Sequence, residues 1–176
     1  MSEIIRVNSP LTAEAIEQLT IGARVLISGF VYTARDTAHK KLLELLNEGR
    51  PLPIDLRGQI IYYAGPTPPK PGKVIGSVGP TTSGRMDAFT PRLLEQGLKG
   101  MIGKGLRSQE VVNSIKKNQA VYFVAIGGTA ALISKHIKAC EVVAYPELGT
   151  EAIRRLLVED FPAIVATDMY GGNLYC

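Results

Sequence analysis

The segment Gly79-Pro-Thr-Thr-Ser-Gly-Arg-Met-Asp87 packs small hydroxyl side chains, glycines and one arginine together with almost nothing apolar to bury. Hydroxyls and backbone N–H groups in a glycine turn can grip carboxylate oxygens, and a planar guanidinium can take both oxygens of one carboxylate. Thr81, Thr82, Ser83 and Arg85 are therefore candidates for holding an anion, against the plainer account of a capped turn with a surface arginine. Neither the Gly-x-x-x-x-Gly-Lys-[Ser/Thr] nucleotide loop nor the dinucleotide fingerprint is present in it. Three more segments share its character. Tyr32-Thr-Ala-Arg-Asp-Thr-Ala-His39 offers Arg35, with Asp36 and His39 in supporting positions; Gly100-Met-Ile-Gly-Lys-Gly105 offers Lys104; and Gly127-Gly-Thr129 opens an apolar helix, where free N–H groups suit an anion. Arg35 and Lys104 each follow a predicted strand and sit beside small residues; solvated surface cations are the competing account for both. His136 lies between lysines and reads as a surface or packing histidine. Four glycine-spaced polar loops in one small chain point to a shared site for a carboxylate or phosphate.

The elements that must present these loops follow from capping and periodicity. Thr12 caps a brief helix within residues 10–20, and residues 24–32 form a β-branched strand with a glycine at its middle. Leucines at helical spacing make residues 36–49 a helix with Asp36 as its cap. Residues 59–64 are a buried strand, 65–72 a turn stiffened by four prolines, and 74–78 another strand. Helices are expected over 87–98, with Thr90 as N-cap and Pro91 at the first helical position, over 108–117 behind Ser108, over 130–137 and over 149–158. Strands are expected at 100–105 (with a turn), 120–126, 141–145 and 163–167. The alternation of strands and helices predicts a layered α/β fold, with the early strands in a second sheet.

At 176 residues, with 45% apolar and 20% charged residues, the chain has the size and composition of one globular domain spanning 1–176. No apolar run approaches the ~18 residues of a membrane span, and the N-terminus carries no secretory pattern, so the expected location is the cytoplasm. The net charge of +4 is spread along the chain, too weak a footprint for nucleic acid. Cys140 and Cys176 are the only cysteines. They cannot supply the three or four thiolates of an iron–sulfur or cysteine zinc site, so any such centre must come from another chain.

Five segments in order carry a resemblance: Tyr32–Lys40, Ile61–Thr67, Ile75–Asp87, Gly97–Gly105 and Val158–Ala163. Over nearly its full length the chain resembles the β subunit, equivalent to the C-terminal domain, of class I iron–sulfur-dependent fumarate hydratases and L-tartrate dehydratases. The resemblance implies a swivelling three-layer β/β/α domain that closes over an α subunit. That α subunit holds a [4Fe–4S] cluster on three cysteines, with one iron open to a small dicarboxylate substrate. It also implies that Thr81 is the catalytic base and that Arg35, Arg85 and Lys104 are substrate-carboxylate ligands, with no metal held by this chain. The expected activity is that of a hydro-lyase, reversible hydration of fumarate to malate. L-tartrate dehydration, or a non-catalytic anion- or partner-binding module, are the alternatives. The expected assembly is a hetero-oligomer with an α partner, with scope for self-association of the β subunit.

Overall fold

Seven strands and five short helices make a mixed α/β fold in a computed structural model that describes residues 3–126 and 130–175. In chain order the elements are β1 (Ile4–Ser9), α1 (Ala13–Glu17), β2 (Arg24–Thr33), α2 (Asp36–Asn47), β3 (Ile60–Tyr62), α3 (Thr90–Glu95), β4 (Gly100–Gly103), α4 (Gln109–Lys117), β5 (Val121–Ala125), α5 (Ala130–Ser134), β6 (Ile137–Ala144) and β7 (Ile153–Thr167). A 3₁₀ turn occupies Ser83–Met86, and two more, kinked at Gly149, occupy Pro146–Glu151.

β1 to β5 run parallel, and β7 runs antiparallel to β2, β5 and β6. Because β7 pairs with both β2 and β5, the strands β2, β3, β4, β5 and β7 form a closed hydrogen-bonded circuit, with β1 and β6 attached to it. All seven strands are thus one network; the early strands do not form a separate sheet. Closure needs a sharp bend in the β2–β7 ribbon, and the register shifts there between Ile27 and Gly29. Gly29 has φ 108°, and a Cβ at that position would fall on the Ser9 carbonyl oxygen, so glycine is required for both reasons. Opposite it, Asp160 also takes a positive φ of 52° and its N–H donates to Ser28 Oγ at 3.0 Å.

Strands β3 to β5 are buried on both faces, by strands β2 and β7 on one and by helices on the other. Ile60, Tyr62, Ile102 and Phe123 point into one apolar cluster with Val25, Ile27, Val31, Phe161 and Val165 of β2 and β7. Their alternating neighbours Ile61, Tyr63, Met101 and Tyr122 point into a second cluster with Ala38 and Leu42 of α2, Leu93 and Leu94 of α3, and Val111 and Ile115 of α4. Each fully buried Leu or Ile contributes about 1.5–3 kcal/mol.

The caps at Thr12 and Ser108 form as expected: Thr12 Oγ1 accepts from Ala15 N at 3.1 Å and Ser108 Oγ from Val111 N at 3.3 Å. Asp36 does not cap α2. Arg35 occupies the N-cap position, and the first turn is satisfied by the Glu151 carboxylate, which accepts from Thr37 N at 3.1 Å and Thr37 Oγ1 at 2.9 Å. α3 begins at Thr90, one residue earlier than expected, with Phe89 rather than Thr90 at the N-cap; the Thr90 hydroxyl donates to the Met86 carbonyl. Residues 74–78 form no strand; that loop is instead folded back, with Ser77 N donating to Thr67 Oγ1 at 2.8 Å and Thr67 N to the Ser77 carbonyl at 3.0 Å. The helix expected over 149–158 is the largest departure: Ile153–Val158 begins the 15-residue strand β7, paired with β2 on one side and β6 on the other. Likewise β6 begins at Ile137, where the end of a helix was expected. Among the described residues no helix is long and apolar enough to cross a membrane.

Candidate active site

Parallel neighbours end together, so the loops that leave β2, β3 and β4 emerge at one edge of the circuit, where α/β sheets bind ligands. Arg35 follows β2, Gly65 lies just past β3 and Lys104 follows β4. The hydroxyl-rich turn wedges between the last two: Thr81 N donates to the Tyr63 carbonyl at 2.6 Å, Thr82 forms a parallel bridge with Lys104, and Ser83 N donates to the Lys104 carbonyl at 2.9 Å. Arg85, on the 3₁₀ turn, reaches across to α2 and pairs through Nε and Nη2 with both carboxylate oxygens of Asp36, the residue after Arg35. The predicted residues Arg35, Asp36, Thr81, Thr82, Arg85 and Lys104 therefore share this edge.

Their settings differ. Lys104 and Thr82 are exposed, Arg35 and Thr81 half-buried, and the Arg85 side chain is 54% exposed. The hydrogen bond from Arg85 holds the Asp36 carboxyl below the usual carboxylate range. Arg35 lies flat against Gly65: a Cβ on Gly65 would sit 2.5 Å from Arg35 Cζ and 2.6 Å from its Nε, so glycine makes room for the guanidinium. Arg35 Nε is buried without a hydrogen-bond partner among the described residues.

His39 and Ser83 lie beneath the edge rather than on it. His39 is fully buried, its Nδ1 2.8 Å from the Arg35 carbonyl and its ring edge-on to Tyr63 with centroids 5.5 Å apart. A carbonyl only accepts, so Nδ1 carries the proton in that bond, and burial pulls the imidazole pKa down to about 4, keeping it neutral. Ser83 is buried against Gly103, where a Cβ would collide with Ser83 Oγ. His136 is half-buried, its Nδ1 3.1 Å from the Glu159 carbonyl. The Gly127–Thr129 turn lies outside the described residues.

Sequence reasoning passed over Arg107. It is 3% exposed and at the centre of a buried network: Nε donates to Asp87 Oδ1 at 2.7 Å, and Nη2 to Thr90 Oγ1 at 2.9 Å and Tyr63 Oη at 3.1 Å. Burial is the largest influence on its charge and opposes it, yet Tyr63, Asp87 and Tyr122 around it hold its pKa above the ordinary arginine value. The only sequence sign was an arginine immediately before a helix-capping serine; its partner Asp87 is 20 residues earlier.

Among the described residues the donor set does not suit a metal centre. Of the two cysteines, Cys140 is half-buried on β6 and Cys176 lies outside the described residues, and among the described residues no three His, Cys, Asp or Glu side chains cluster. Two clefts lie away from this edge, one of about 360 Å³ lined by Leu52–Arg57 and Gln96, another of about 500 Å³ between the 67–77 loop and residues 131–137.

The whole chain, residues 1–176, matches the family described as Fumarase C-terminus. "Fumarate hydratase class I, aerobic" of Salmonella typhimurium is 42% identical over 180 residues, which is 98% of this chain and 31% of that protein. "Fumarate hydratase 2" of Leishmania major is 40% identical over 164 residues, 92% of this chain and 29% of that protein. "Putative L(+)-tartrate dehydratase subunit beta" of Methanocaldococcus jannaschii is 38% identical over 171 residues, 94% of this chain and 88% of that one. The chain thus spans only about 30% of the two fumarate hydratases. With a match along its entire length and relatives of this identity, it belongs to the fumarase C-terminus family.

Proposed function

We propose that this protein is the β subunit of a two-subunit hydro-lyase that adds water reversibly across the double bond of a dicarboxylate, fumarate to malate, and works only with an α subunit. The gathering of Arg35, Thr81, Arg85 and Lys104 at the carboxyl ends of three parallel strands carries this proposal. Family membership and the names of its relatives add to it.

Arg35, Arg85 and Lys104 bind and orient the diacid through charge-assisted hydrogen bonds to its carboxylates. Arg85 exchanges its Asp36 partner for a substrate carboxylate, so the same fork is shaped before and after binding. In the dehydration direction Thr81 takes the proton from the carbon next to the hydroxyl-bearing one as the hydroxyl leaves that neighbour as hydroxide, a departure that a Lewis-acidic centre on the α subunit would assist; hydration returns both to the double bond. An alkoxide is costly at neutral pH. Positive charge lowers that cost, and Lys104, bridged to the adjacent Thr82, and Arg85, four residues on in the same turn, are the cations at this edge that would supply it. The [4Fe–4S] cluster that the resemblance implies belongs to the α subunit, since this chain's own donors do not fit one. The two apolar clusters, one between strands and one between strands and helices, support a three-layer β/β/α domain of the swivelling kind. Leu106, 63% exposed beside Gly84, is surface for the partner to cover. The location is the cytoplasm.

A second reading, the β subunit of an L-tartrate dehydratase, is favoured by one observation: the relative of that name is a separate chain of nearly the same extent. Assay of this chain alone, the cluster-bearing chain alone and the reconstituted pair, on fumarate and on L-tartrate, decides. Fumarate turnover by the pair only is expected. Substantial turnover by this chain alone would refute the division of labour, preference for tartrate selects the second reading, and no turnover of either by the pair leaves a binding module.

A further inference from the structure

The hydroxyl-rich turn and the end of β4 are fastened from below by side chains that lie out of a ligand's reach. Tyr122, buried on β5, has its hydroxyl 2.7 Å from the Gly105 carbonyl and 2.8 Å from Ser83 Oγ. The carbonyl can only accept, so Tyr122 donates to it and accepts from Ser83. One phenol therefore ties the residue after Lys104 to the residue two before Arg85. Arg107 fastens the other end of the same turn. Its guanidinium binds Asp87 and Thr90, while Thr90 Oγ1 donates to the Met86 carbonyl at 2.8 Å and Asp87 Oδ2 accepts from Ser108 N at 2.8 Å. The same guanidinium lies 5.1 Å from the Tyr63 ring centroid and 4.8 Å from that of Tyr122.

A buried ion pair is a poor source of stability compared with apolar packing of the same volume. What this one delivers is geometry: two loops from different strands held at one spacing, with Arg85 and Lys104 on their outer side. We propose that Tyr122 and Arg107 are positioning residues of the diacid site, fixing the Thr81–Arg85 turn against Lys104 so that cations and hydroxyl meet one ligand together. This rests on the proposed hydro-lyase function. A misplacement of ~1 Å in such a site can cost up to about 100-fold in rate, so the buried contacts act on binding and turnover without touching substrate.

The test is Tyr122→Phe in the complete two-subunit enzyme. It keeps the ring and removes the hydroxyl. Expected are a rise of about 3- to 10-fold in KM for fumarate, the worth of one hydrogen bond, and faster amide exchange at Ser83 than in the distant β2–β7 ladder. The KM effect should shrink in an Arg85→Ala background, because the two residues act through one turn. Arg107→Lys, which keeps the charge and loses the fork, should shift KM the same way. Unchanged KM and unchanged exchange at Ser83 in Tyr122→Phe overturn the proposal. So does a uniform rise in exchange with full additivity to Arg85→Ala, the mark of a merely structural role. If the unmutated complex turns over no dicarboxylate, the function itself has failed; that result is in hand before any variant is made and is distinct from a working enzyme indifferent to Tyr122.

Discussion

Arg85 and Arg155 are both arginines with a carboxylate partner and comparable exposure, 54% and 40%, yet they stand in different frames. Arg155 stands in an antiparallel ladder, paired in register with Glu141 on β6 and with its guanidinium 4.5 Å from the centroid of Phe30. Its contacts are with the strands beside it. Arg85 stands on a turn wedged between the ends of two parallel strands, with Arg35, Thr81 and Lys104 around the same opening. An orphaned donor does not separate the two regions either: Arg35 and Arg155 each keep a buried Nε without a hydrogen-bond partner among the described residues. One lies against a glycine that makes room for it, the other beside an aromatic ring. A cation becomes part of a binding site through the frame that holds it and the groups converging beside it, more than through exposure or pairing.

Substitutions at the parallel edge should therefore damage function, and those in the antiparallel arm should not. The largest effect is expected from Arg85→Ala in the complete enzyme. Loss of a charge-assisted contact worth about 2–4 kcal/mol lowers kcat/KM by roughly 30- to 1,000-fold, with little change in the thermal midpoint. A loss below threefold would erase the distinction between the regions. Next comes Gly65→Ala. Its new methyl must push aside the flexible end of Arg35 rather than backbone, so steady-state kinetics should show KM raised about tenfold while calorimetry shows the fold intact.

His39 sharpens the comparison through pH. The unfolded chain takes up a proton near the ordinary histidine value of 6.5, whereas the buried imidazole resists until about 4. The unfolded state thus binds more protons between these values. Stability is fully present above pH ~6.5 and falls by up to about 1.4 kcal/mol per pH unit down to pH ~4. Urea titrations across that range measure the slope, and His39→Gln should flatten it; an unchanged slope would assign it to other groups. The smallest effect is expected from Arg155→Ala: less than about 1 kcal/mol in denaturation and kcat/KM within twofold.

Much of the frame was legible because it is local. Thr12 and Ser108 announce their helices by capping, and the mid-strand glycine of β2 announces its bend. Arg35, Arg85 and Lys104 were legible through the small residues around them, since close approach needs glycine. What escaped depends on pairings distant in sequence. Arg154-Arg-Leu-Leu-Val158 has a composition that suits a helix, but hydrogen bonds to β2 on one side and β6 on the other make it strand. The cap of α2 comes from Glu151, far along the chain, which leaves Asp36 free to pair with Arg85. Arg107 escaped for the same reason: its partners come from just past β3, from α3 and from the turn, and no spacing rule relates them.

The ladder between β2 and β7, nine paired positions from Arg24–Ile164 to Thr33–Arg154, is the seam that shuts the circuit. A hoop of strands has fewer rims from which to fray than an open sheet, so the amides along this seam should be among the last to exchange with solvent. The loops hang from the hoop without forming part of its closure. Chemistry at that end can be retooled by swapping loop residues, and the hoop stays shut.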